Sequence, residues 1–330
     1  MDSLTLSRSR FLAYFAVFLA VMVVFLGAYT RLTDAGLGCP DWPGCYGHWR
    51  VEANAIAPAK AWAEMIHRYA AGTLGLLILG LGLFGIVRRR DPDQSVLIPL
   101  LLIVLVIFQA ALGRWTVTLQ LLPVVVMGHL LGGLTILALL WILALKSGRH
   151  FSLPNLGEDK KFRFWALLGL IIVFLQISLG GWTSTNYAAL VCPDFPYCHG
   201  QWFPLHELHK AFNVFMPPGR DYDGGILDTP ARISIQVVHR IGAIVTAVYL
   251  FGLGLWGLCA ARQGIIKAIM VFIWMALVLQ ISLGILNVVL MLPLSIALMH
   301  NIGAAVLLLS IVTLNYVLYA NHAKSPNENS

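Results

Sequence analysis

Eight stretches of this chain are each apolar over about the length needed to cross a bilayer, roughly 20 residues. They run Phe11–Thr30, Ala63–Val87, Val96–Trp115, Leu122–Leu145, Phe164–Thr183, Ile233–Leu258, Ile265–Leu290 and Leu294–Ala320. In hydrocarbon every backbone N–H and C=O must find a partner inside the protein, which leaves the α-helix as the structure an open segment can adopt. The expected fold is all-α and integral to a membrane. Composition agrees. Of the 330 residues 59% are apolar and 11% charged, with a mean hydropathy of +0.80, against about 25% charge in a soluble domain. The first stretch is too long for the apolar part of a signal peptide and lacks a small-residue cleavage site, so it reads as a retained span.

The net charge of +7 raises the question of nucleic acid, and the placement of the charges answers it. Arg8, Arg10, Arg88, Arg89, Arg90, Lys146, Arg149, Lys160, Lys161, Arg163, Arg262, Lys267 and Lys324 all fall on one side of the eight spans. Such asymmetry marks the cytoplasmic face. Both termini are then cytoplasmic, and the long loops 31–62 and 184–232 lie outside a bacterial-type inner membrane. The basic residues read as topology signals in contact with the lipid bilayer, with no nucleic-acid surface. The polar tail Lys324–Ser330 reads as disordered.

An internal repeat organises the chain. The run from Gly27 to Cys45 matches Gly180 to Cys198 at an offset of 153, and later residues match at 171–172. The second long loop therefore holds about 19 extra residues, within Phe203–Asp228. With four spans in each half, both halves insert the same way round, a parallel repeat. The expectation is two pseudo-symmetric four-helix bundles, residues 1–150 and 151–330. A finer echo, Gln109 to Gly113, Gln176 to Gly180 and Gln280 to Gly284, reads as small residues that let helices pack closely.

His67, His129, His239 and His300 lie at matching places, each on the order of 10 Å inside the loop-bearing end of an even-numbered span. Two facing helices per half can each present one imidazole, the arrangement of bis-histidine haem ligation in a helical bundle. The plainer reading is hydrogen bonding between helices, but four repeat-related intramembrane histidines argue for function. Glu64 precedes His67 by three residues, so a metal held by these two is a further alternative. The second half has Gln236 where the first has Glu64. A carboxylate beside a haem edge can take a proton during oxidation and an amide cannot; the alternative is an ion pair from Glu64 to Arg68. Arg68 and Arg240 are candidate partners of haem propionates, or arginines that snorkel to the headgroups.

Cys39 and Cys45, and Cys192 and Cys198, are spaced C-x5-C in the long loops. A structural disulfide in each is the plainer reading, and a pair exchanging with external thiols is the alternative. The spacing is poor for zinc. His206 and His209 form an H-x-x-H pair that reads as polar loop.

These motifs together, Glu64-x-x-His67-Arg68, His129, Gln236-x-x-His239-Arg240, His300 and the first cysteine pair, resemble those of the haem A synthase family over nearly the whole chain. The resemblance implies oxidation of the C8 methyl of haem O to a formyl group through hydroxylated intermediates. It implies haem b held by His239 and His300, and substrate haem O near His67 and His129. Glu64 would assist the oxidation, and Cys39–Cys45 would be the functional pair. Haem O synthase and oxidase assembly factors are the implied partners, and a homo-oligomer is open. The competing readings are a dihaem b-type membrane electron-transfer subunit, with no chemistry on either porphyrin, and a haem or small-molecule transporter.

Overall fold

The computed structural model describes residues 3–52, 55–87, 97–147 and 157–319. Among these are α1 (Ser3–Leu32), α2 (Pro58–Val87), α3 (Leu97–Thr118), α4 (Pro123–Ser147), α5 (Phe162–Thr185), the short α6 (Leu208–Ala211), α7 (Thr229–Ala260), α8 (Gly264–Val289) and α9 (Leu294–Tyr319). A 3-10 turn, Gly157–Lys161, leads into α5. All of these helices except α6 are long and apolar enough to span a membrane, eight in all. Arg88, Arg89, Arg90, Arg149 and the tail from Lys324 lie outside the described residues.

Several helices begin before their apolar windows. α7 starts at Thr229 because Asp228 caps it, accepting the Ala231 N–H at 3.2 Å, with Pro230 in the first turn. Both features favour a helix start and neither is hydrophobic, so a hydropathy reading places the start at Ile233, too late.

The outward faces are apolar. Leu76, Leu83, Val104, Ile107, Val248 and Val278 all stand exposed, the reverse of a soluble surface and the surface a bilayer covers. α1 packs on α2 and α4, and α3 on α2 and α4; α7 packs on α5 and α8, and α9 on α5 and α8. α1 and α4 also meet α9, and α4 meets α5. The central place of α9 shows in its burial: 56% of its apolar window is covered, against 22–28% in the other spans. Leu137, Leu140, Phe162, Leu250, Ile311 and Leu314 form part of one continuous core. Polar ties cross it: Trp141 donates to Thr313 Oγ1 at 2.8 Å, and Asn315 to the Ala166 carbonyl at 2.9 Å.

Four of the helices end alike. After α1, α3, α5 and α8, the residues Asp34, Gln120, Tyr187 and Met291 take φ of 50°, 50°, 53° and 59°. The next N–H then reaches back to a carbonyl of the last turn: Ala35 to Thr30, Leu121 to Thr116, Ala188 to Thr183 and Leu292 to Asn287, at 2.7–2.9 Å. This is the Schellman stop, which satisfies carbonyls the helix leaves bare.

The extra segment in the second loop is folded down. Trp182 donates to the Ala211 carbonyl at 2.8 Å, and the Tyr222 N–H donates to the Gln120 carbonyl at 3.0 Å. The Tyr222 side chain is buried with Leu121 and Leu122 at the α3–α4 turn. Beside it, Arg31 donates to the Tyr187 hydroxyl at 2.8 Å and the Ser184 carbonyl at 2.6 Å, while Tyr187 donates to Asp223 at 2.5 Å.

Candidate functional site

The four histidines stand on α2, α4, α7 and α9, each half-buried. The imidazoles of His67 and His129 face one another, with ring centroids 6.3 Å apart and planes at 85°. Two imidazoles bound to opposite sides of one metal at about 2 Å have centroids about 6 Å apart. His300 lies within electrostatic reach of His239. Nδ1 of His67, His129 and His300 is buried with no hydrogen-bond partner.

Each ring rests on a glycine of the preceding helix. A Cβ added at Gly27 would lie 3.0 Å from His67 Cε1; at Gly113, 3.3 Å from His129; at Gly180, 3.2 Å from His239; at Gly284, 3.1 Å from His300. Alanine would press on every ring, which would have to give by a few tenths of an ångström. Unpartnered ring nitrogens, glycine cradles and a facing imidazole pair suit a haem iron. Among the described residues no group of three or more His, Cys, Asp and Glu is placed to hold a metal ion by itself.

Both disulfides are formed, Cys39–Cys45 and Cys192–Cys198, and both loops fold the same way. Asp41 accepts the N–H groups of Tyr46 and Gly47 at 2.6 and 2.7 Å, and Asp194 those of His199 and Gly200 at 2.8 and 2.9 Å. The Gly200 N–H first, with the His199 N–H, holds the Asp194 carboxyl below its ordinary range. Tyr46 and Gly47, like His199 and Gly200, both take positive φ, the tight turn that favours glycine second.

Glu64 is buried and does form the ion pair with Arg68. Its other oxygen accepts the Cys39 N–H at 2.8 Å. Arg68 also donates to the Asp41 carbonyl at 2.9 Å and the Gly44 carbonyl at 2.5 Å. Thus the carboxylate three residues before His67 is wired into the first disulfide loop. Arg240 holds the second loop, donating to the carbonyls of Tyr197 at 2.7 Å, Cys192 at 3.1 Å and Asp194 at 3.2 Å. Arg240 Nε and Gln236 Oε1 are buried without partners. The arginines are therefore loop clamps, with Arg240 Nε the donor still open. His206 and His209 are exposed, and Lys210 beside them pairs with Glu207 and Asp228.

The residues the sequence reading undervalued are glutamines. The echo that reads as close helix packing places Gln176 Nε2 3.1 Å from His239 Nδ1, and Gln280 Nε2 3.3 Å from His300 Nε2. Its spacing is visible in the chain; which helix each amide meets is not.

The comparisons with known proteins agree with one another. The curated Heme A synthase of Shewanella oneidensis is 45% identical, over 91% of this chain and 93% of the relative. That of Caulobacter vibrioides is 28% identical, over 91% and 94%, and that of Neorickettsia sennetsu 26%, over 88% and 93%. Nothing in them supports the dihaem electron-transfer subunit. A family model described as cytochrome oxidase assembly protein, COX15-CtaA, matches residues 10–312. On that match and those relatives, this chain, with eight membrane-length helices among its described residues, belongs to the COX15-CtaA family.

Proposed function

We propose that this protein oxidises the C8 methyl of haem O to a formyl group, through hydroxylated stages, and so makes haem A. The observation that carries the reading is the facing pair of His67 and His129, 6.3 Å apart, with the buried carboxylate of Glu64 three residues before His67. The relatives' name, Heme A synthase, supplies the substrate class. In this reading the substrate sits in the half formed by residues 1–150, between those histidines. His239 and His300 hold haem b in the half formed by residues 151–330. When bound, haem b supplies one-electron chemistry.

The chain's own residues do the rest. The glycine cradles fix the four imidazoles. Glu64 takes protons released as the methyl is oxidised, a role closed to Gln236. The guanidinium of Arg68 keeps Glu64 in place and ties it to the loop closed by Cys39–Cys45. Arg240 Nε, buried and unpartnered, is the donor left for a haem propionate. The cysteine loops face the outside and the termini the cytoplasm, as the basic residues indicate. Haem O synthase, as supplier, and oxidase assembly factors, as recipients, are the partners this implies, and a homo-oligomer is compatible with it.

Glu64→Gln tests the reading: its one amide oxygen can still accept the Cys39 N–H, while the ion pair with Arg68 is given up. Haem extraction and chromatography should find both haems retained in the variant and haem A formation lowered at least about a hundredfold, the scale of a lost general base. Wild-type amounts of haem A from this variant would remove the chemical role of the carboxylate. Haem b alone in the wild-type protein would favour electron transfer instead.

A further inference from the structure

The supports of the four histidines are alike in three cases and different in one. One turn before each cradle glycine, the same helix carries Gln109, Gln176 and Gln280, but Val23 before Gly27. Three residues after each histidine stand Gly132, Gly242 and Gly303, but Ala70 after His67. The two differences belong together. A Cβ at Gly132 would fall 1.7 Å from Gln109 Nε2; at Gly242, 2.2 Å from Gln176 Oε1; at Gly303, 2.3 Å from Gln280 Oε1. The glutamine's amide lies across the missing side chain, so an alanine at that place would force the amide to move. Where Ala70 stands, Val23 supplies no side-chain amide; it leaves the His67 ring only a backbone carbonyl within reach, as the Gln109 and Gln280 carbonyls are for His129 and His300.

The three amides lie deep. Gln109 is 8% exposed and its Nε2 has no partner. Gln176 Nε2 also reaches the His239 carbonyl at 3.1 Å, and the oxygens of Gln176 and Gln280 are buried without partners. A metal-bound imidazole has a ring N–H left to donate, and an acceptor there fixes the ring and strengthens the ligand. A half-turn of either amide offers that oxygen. Buried polar atoms without partners are costly, so the amides beside His239 and His300, with the buried Nε2 of Gln109 at the matching place, point to a use.

We propose that Gln109, Gln176 and Gln280 are positioning residues that lock His129, His239 and His300 onto iron, and that Val23 with Ala70 leaves His67 as the one ligand built to let go. The substrate's iron would then have a firm side on α4 and a releasable side on α2, the helix that carries Glu64. The proposal rests on the haem ligation proposed above.

Exchanging the supports tests it. The probe is carbon monoxide added to the dithionite-reduced, haem-loaded protein, since it binds only where a histidine has left the iron. In the wild type, uptake should be confined to one haem. Val23→Gln with Ala70→Gly should lower that uptake about tenfold, the scale of an outer-shell partner. Gln109→Val with Gly132→Ala should raise it, because His129 then loosens too. Gln176→Leu should open the second haem to carbon monoxide, and Gln176→Asn should partly close it again. Wild-type uptake by a folded Val23→Gln, Ala70→Gly protein overturns the proposal. Should that protein not accumulate, Gln109→Val with Gly132→Ala decides, and unchanged uptake there overturns it. A wild-type protein that binds no haem would instead sink the ligation reading on which this rests.

Discussion

Asp194 shows how a single side chain sets one loop. Its carboxylate receives two backbone N–H groups from the turn at His199 and Gly200, which stabilise the ionised form. Because the folded carboxyl ionises below its ordinary 3.8, the stabilisation is complete above that pH and is lost as the pH falls through the folded value. Asp194→Asn should therefore speed amide exchange at His199 and Gly200 several-fold at pH 7. The gap between variant and wild type should close as the solution is acidified below 3.8, through the folded carboxyl's own lowered range. Exchange followed by mass spectrometry reads this, and a gap independent of pH would mean that geometry, not charge, holds the turn. At Glu64 and Gln236 the same scale separates the halves: one has an ion pair and a loop N–H, the other an amide oxygen left bare.

The odd spans and the even spans do different work. α2, α4, α7 and α9 carry the histidines, while α1, α3, α5 and α8 carry the glycines they rest on. The glycine-bearing helices are also the four that end in the left-handed stop, on residues other than glycine. An L-residue with a side chain pays roughly 1–2 kcal/mol for that conformation, and glycine pays little steric cost but more entropy. Met291, exposed at the end of α8, is the place to see it. Met291→Gly should raise stability by about 1 kcal/mol, visible as a higher unfolding midpoint in detergent. A lower midpoint would show that the methionine packing outweighs the backbone strain.

Over the whole molecule, the extra segment of the second loop joins parts distant in sequence. It carries Tyr222 onto the α3–α4 turn, while Asp223 completes a chain through Tyr187 to Arg31 at the end of α1. Burial, then the hydrogen bond with Asp223, raises the Tyr187 hydroxyl above its ordinary range, so the phenol stays protonated and donates at neutral pH. Tyr222→Ala should cost about 3 kcal/mol, as for a buried aromatic truncated in a packed site. Thermal unfolding reads this, and a shift near zero would make the segment an ornament rather than a strap.

The eight spans, the helical class, the four histidines and the cysteine pairs are legible in the sequence, because hydropathy, spacing and repetition are one-dimensional quantities. The polar starts of α2 and α7 are less so, since a cap and a proline leave no apolar signal. What only the tertiary structure decided is which side chains meet. It set His67 facing His129, laid each imidazole on a glycine from another helix, turned the glutamines from packing marks into neighbours of the histidines, and committed Arg68 and Arg240 to the disulfide loops. Those pairings depend on the rotation and approach of separate helices, which no periodicity within one helix can encode.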